Sequence, residues 1–181
     1  MKNLFFLLFT TSLLIVSCGT SEETLQLEID SASEALFSEG AARFDEEKAA
    51  KLSAAYESYI GAFPKSDSTP VYLFKQAELL RSMRDFTGAI GVWEKINNDY
   101  PTYEKTPQSF FLIGFTYENN LKDLKKAKKY YEDFLVKFPK HEFVKDAQFS
   151  LKNLGRPVED ILKEFQEKRA AQEAAKAEAA Q

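Results

Sequence analysis

The sequence predicts an all-α fold, a right-handed superhelix of about three to four stacked helix pairs. Three observations predict it. An aromatic residue precedes proline at Phe63-Pro64, Tyr100-Pro101 and Phe138-Pro139, and these prolines lie 37 and 38 residues apart. A period of that length marks repeated helical pairs, each too small to bury its own apolar face. Apolar residues also recur at fixed distances before each proline. Tyr56, Trp93 and Tyr131 lie eight upstream, Tyr59, Ile96 and Phe134 five upstream, and Leu52, Ala89 and Ala127 twelve upstream. Offsets of three, four and seven place them on one helix face. Finally, Thr69-Pro70 and Thr106-Pro107 each bring a second proline six residues after the first.

Taken in chain order, Lys2 precedes an apolar run from Leu4 to Val16, broken only by Thr10, Thr11 and Ser12. The run fits a signal h-region and falls short of the roughly twenty residues that span a bilayer, so residues 1–17 read as a signal peptide. Ile15-Val16-Ser17-Cys18 has the order of a bacterial lipobox. There the thiol takes a diacylglyceryl group, the peptidase cuts before the cysteine, and the new amine is acylated. Two or three acyl chains give lasting attachment where one does not. Cys18 is therefore the expected lipidation site. Gly19 follows it in place of Asp, which makes the outer membrane the expected destination. Ser21-Glu22-Glu23 is similar to the acidic export tags of some surface lipoproteins. Residues 18–30 read as a tether, although a degenerate opening helix of the first copy falls within about 22–42.

The repeat domain is placed at 31–168. Helices are expected at 45–62, 86–99 and 123–137, each stopped by its proline. Asp45-Glu46-Glu47 supplies a cap and first-turn charges that suit the helix dipole. The Thr-Pro pairs open helices at about 70–83 and 107–120, with Thr as N-cap and Pro at the first helical position. In these, Leu73, Ala77 and Leu80 align with Phe110, Gly114 and Tyr117. Ala77 and Gly114 fall where two helices must approach closely. One inserted residue around Asn119-Asn120 accounts for the longer second spacing. After Pro139 a shorter loop leads to a helix near 142–153 carrying Phe143, Ala147 and Leu151. Gly155 caps it, and Pro157 opens a last helix at 157–168. Residues 169–181 are rich in Ala, Glu and Lys without a large apolar residue to dock them, and read as a flexible tail.

Composition narrows the function. The chain has 181 residues, 44% apolar and 29% charged, which suits a globular domain. A net charge of −4 argues against nucleic-acid binding. One Cys and one His leave no intramolecular disulfide, thiolate cage or paired-His site. There is no Gly-rich phosphate loop, EF-hand loop or HExxH motif, so no catalytic residue, metal or cofactor is assigned. His141 reads as a solvated loop residue. The run Lys122, Lys125, Lys126, Lys128 and Lys129 reads as a solvated face, with contact to anionic lipid as the alternative.

Over roughly 45–155 the chain resembles the tetratricopeptide-repeat family. The resemblance rests on Ala77, Phe86, Ala89, Trp93 and Pro101, and again on Gly114, Tyr117, Ala127, Tyr131 and Pro139. The long period and aromatic-Pro closers look like two periplasmic groups of that family. These are the lipoprotein of the outer-membrane β-barrel assembly machine and the C-terminal domain of the Tol-Pal coordinator. The resemblance implies a concave face lined by the first helix of each pair. Phe86, Trp93, Ile96, Tyr117, Tyr131 and Phe134 are then core. Phe74, Glu78 and Arg81, with Phe111, Phe115 and Glu118, are the groove candidates. Family members that clamp a C-terminal carboxylate use Lys and Asn in these helices, and Phe74, Glu78, Phe111 and Phe115 do not fit that mode.

The expected protein is a non-enzymatic scaffold held at the outer membrane by lipid on Cys18, with the periplasmic face favoured over the cell surface. Its partners would be other envelope proteins, bound as a peptide or helix in the groove. Assembly of outer-membrane proteins is the first expectation. A Tol-Pal-like role in envelope integrity or division is the second, and nutrient capture at the surface the third.

Overall fold

The computed structural model describes residues 20–38 and 44–179; Cys18 and the signal segment lie outside the described residues. The described residues form eight helices and no strand: α1 (Glu22–Phe37), α2 (Glu46–Ala62), α3 (Thr69–Ser82), α4 (Phe86–Asp99), α5 (Thr106–Asn119), α6 (Leu124–Lys137), α7 (Val144–Asn153) and α8 (Val158–Ala179). Each of α1 to α6 packs on the next. The core divides into three clusters. Leu25, Ile29 and Leu36 of α1 meet Leu52, Tyr56 and Tyr59 of α2 in the first. Trp93 and Ile96 centre the second, with Leu73 and Ile113. Tyr131 and Phe134 centre the third, with Phe110 and Ala147. Ile60 packs against both the first and second clusters, and Tyr117 and Tyr130 against both the second and third. The core is thus continuous along the stack, as repeats that cannot bury their own faces require.

Helix starts follow a common device. The side chains of Asp45, Asp85 and Asp123 accept hydrogen bonds from the backbone N–H groups of Lys48, Gly88 and Lys126 at 3.0, 2.9 and 3.0 Å. These satisfy N–H groups that α2, α4 and α6 leave unpaired in their first turns. In the two later copies the residue before the Asp is left-handed, Arg84 at φ 66° and Lys122 at φ 56°. The inserted residue therefore lies ahead of Lys122, in Asn120-Leu121.

Helix ends are equally uniform. Phe63, Tyr100 and Phe138 close α2, α4 and α6 by donating their N–H groups to Tyr59, Ile96 and Phe134 at 2.9, 2.9 and 2.8 Å. Three residues on, Ser66, Tyr103 and His141 donate back to those same aromatic residues at 3.1, 3.0 and 3.1 Å. Thr69, Thr106 and Val144 then donate to Ser66, Tyr103 and His141 at 3.1, 2.9 and 3.1 Å.

This loop corrects several expectations. Thr69 and Thr106 do not cap. Both are buried inside the first turn, and their hydroxyls donate to the carbonyls of Phe63 and Tyr100. Each hydroxyl adds a second hydrogen bond to a carbonyl that already accepts from the loop, which ties the start of the helix to the close of the previous one. The loop after Pro139 is no shorter than the others, since α7 starts at Val144, the position of Thr69 and Thr106. Ala147 therefore occupies the place of Ser109. His141 is not simply solvated: its ring meets Phe134 and Phe143 edge-on at 5.7 and 5.1 Å, and its Nδ1 accepts from the N–H of Phe143 at 3.2 Å.

Two boundaries also move. The expected tether is helix from Glu22 onward, because Leu25 and Ile29 find an apolar partner in α2. Ser21 caps it, accepting from Thr24 N–H at 3.1 Å, and Glu22 and Glu23 form its first turn. The expected flexible tail continues α8 as far as Ala179, in keeping with its helix-favouring Ala and Glu, although no residue of α8 is buried.

Candidate functional site

In the expected core, Trp93, Ile96, Tyr131 and Phe134 are fully buried, and Phe86 and Tyr117 are half-buried. The small residues act as their spacing suggests. Ala77 is fully buried, and a Cβ added to Gly114 would lie 3.0 Å from the ring of Tyr131. Gly114 thus lets α5 close on α6 within its pair, and the expected groove residues sit on α3 and α5, the first helices of the two pairs.

The structure separates them into two openings. The first lies between α1 and α3 and encloses about 370 Å³. Phe74 and Glu78 line it together with Phe37, Phe44, Tyr56 and Lys105. Phe74 is only 7% exposed, and the ammonium of Lys105 sits 5.0 Å above its ring. A cation over an aromatic face is held by the ring quadrupole. Glu78 pairs with Arg81 at 3.1 Å, both side chains about a third exposed, and each keeps one shielded atom, Glu78 Oε1 and Arg81 Nε, without a partner.

The second opening lies between α5 and α7 where α8 departs, and encloses about 650 Å³. Phe115 and Glu118 line it with Leu124, Phe149, Arg156 and Val158. Phe115 is 37% exposed and Phe149 46%. Glu118 accepts a 2.7 Å hydrogen bond from the hydroxyl of Tyr131. Burial, with this carboxylate beside it, pushes that hydroxyl well above the ordinary range for tyrosine, so it stays a donor. Between the openings, Phe111 is half-buried among Phe115, Tyr131, Phe134 and Phe143 at centroid distances of 5.1 to 6.4 Å. Phe111 and Arg81 line neither opening.

Phe37, Phe44, Lys105, Phe149 and Val158 were not among the expected groove residues. The periodic spacing of Leu25, Ile29 and Leu36 was the available signal for α1, and with it for Phe37. The second opening had none, because it depends on where α8 leaves the stack. The lysine run is largely neutralised on its own helix: Lys126, Lys128 and Lys129 meet Asp123, Glu132 and Asp133 at 3.5, 3.7 and 2.6 Å.

The described residues contain no cluster of three or more His, Cys, Asp or Glu placed to hold a metal ion. No helix among them is long and apolar enough to cross a membrane. What the face offers is aromatic surface with charged groups beside it, suited to contacts with another chain.

The tetratricopeptide-repeat family model matches residues 72–103 and 108–141. These segments are the pairs α3–α4 and α5–α6 with the loops that close them. The described residues thus form an all-α stack around two helix pairs that match the tetratricopeptide-repeat model, and repeats of that family typically bind other proteins. Comparison with curated proteins gives no match.

Proposed function

We propose that the protein is a non-enzymatic scaffold, held at the outer membrane by lipid on Cys18, that captures a segment of another envelope protein on the face formed by α1, α3, α5 and α7. The observation that carries this reading is the exposed aromatic surface at the two openings. Phe115 and Phe149 stay open to solvent although the stack has buried neighbours such as Phe110. An aromatic anchor entering a pocket of this kind supplies most of the binding energy in peptide recognition.

Assembly of outer-membrane proteins is the role we favour, on the resemblance of the repeat period, aromatic-Pro closers and lipobox to the assembly lipoproteins. Depleting the protein should then lower many outer-membrane barrels together. Normal barrel levels with chaining or blebbing cells would instead favour an envelope-integrity role of the Tol-Pal coordinator kind, the second reading, which rests on the same closers.

A further inference from the structure

The first helix begins very close, along the chain, to the expected anchor. Ser21 caps α1 and stands three residues after Cys18. Three residues at full extension reach at most about 11 Å. The start of α1 is also locked to one end of the stack. The carboxylate of Glu22 accepts hydrogen bonds from the hydroxyls of Tyr59 and Ser66, the latter at 2.7 Å, and those two hydroxyls lie 2.9 Å apart. Ser66 belongs to the loop between α2 and α3. The next loop is tied to it, because the hydroxyl of Tyr100 donates to the carbonyl of Pro64 at 2.7 Å. Alternating helix direction brings the loop of Pro139 to the same edge. The turns carrying Arg84 and Lys122 lie at the other edge, one helix length away, about 21 Å for 14 residues.

We infer that the edge bearing the proline loops, beginning with the loop of Ser66, is the edge of this protein that faces the lipid headgroups. The inference rests on the reading of Cys18 as the lipid anchor. A stem this short, joined to a helix whose first turn is bonded to that edge, leaves the stack little freedom to turn over. The helices then stand end-on to the bilayer, and the inner face opens sideways, along the membrane surface. Attraction to lipid charge is not what sets this orientation. Along the edge the positive Lys65 and Lys140 are offset by the negative Asp67 and Glu104.

The test uses the full lipidated chain in phosphatidylcholine vesicles. Lipidation leaves Cys18 without a free thiol, so a cysteine introduced by Lys65→Cys, Arg84→Cys or Lys122→Cys takes a single fluorescent label. All three positions are exposed. Quenching by headgroup-bound nitroxide lipid should be several-fold stronger at 65 than at 84 or 122, with or without added salt. A flexible insert of about twenty residues between Gly19 and Thr20 should bring the three signals together. Equal quenching in the lipidated chain, or stronger quenching at 84, would overturn the orientation alone. A chain lacking the diacylglyceryl mass at Cys18 and failing to join vesicles would overturn the anchor and this inference together.

Discussion

Lys122 and Arg84 occupy backbone that favours glycine, at φ 56° and 66°. A left-handed L-residue costs about 1–2 kcal/mol, while glycine loses part of that gain through its greater freedom when unfolded. Lys122→Gly should therefore stabilise the fold by about 0.5–1 kcal/mol, read as a higher midpoint in denaturant. A lower midpoint would mean that the lysine side chain holds the turn. Trp93 is fully buried at the centre of its cluster. Trp93→Ala should cost about 3–5 kcal/mol in the same assay, and unchanged stability would contradict the repeat register. Residues of this kind were legible because their spacing is local. The hydroxyl–carboxylate bonds of Tyr59 with Glu22 and Tyr130 with Glu94 were not, since their partners stand 37 and 36 residues apart on different helices. Thr69 and Thr106 were misassigned for a related reason. A Thr-Pro pair is a good cap locally, but the carbonyl it answers belongs to the preceding helix.

At the scale of elements, α8 meets the stack through the carboxylate of Glu164 and the ring of Phe165. Glu164 reaches Lys168, Arg156 and Lys152 at 2.6, 2.9 and 3.6 Å, and Phe165 meets Phe149 at 6.1 Å. The Lys168 and Arg156 hydrogen bonds, in that order, lower the pKa of Glu164 from 4.5 to about 2. A lowered folded-state pKa stabilises the docked form above the unfolded value and loses that contribution as pH falls through the folded one. The part of docking that comes from Arg156 and Lys152 should thus be present above about pH 4.5 and fade toward pH 2, while the Lys168 pair lies within α8 itself. Hydrogen exchange across α7 and α8 reads this directly. Glu164→Gln should show the same loosening at neutral pH, and unchanged protection there would leave the apolar contact as the sole tether. The helices closed by proline were legible to within one or two residues, because proline stops a helix wherever it falls. The first helix was not, for Phe37-Ser38 brings no proline. The length of α8 was missed because propensity alone, without a docking face, gives a weak signal.

Across the whole molecule, stacking turns three modest clusters into one continuous core. The resemblance implied a concave face and placed its candidates on α3 and α5 alone. Its division into two openings depends on how α1 and α8 end the stack, and neither end carries the full repeat signature. The central claim is that this face, held at the membrane, takes the partner. Photo-cross-linking from position 115 in native membranes tests it, with position 136 on α6 as the comparison, where Val136 is 80% exposed. A discrete adduct with an envelope protein from position 115, absent from position 136 and lost when Cys18→Ser removes the anchor, is the expected result. Adducts from position 136 with none from position 115 would contradict it.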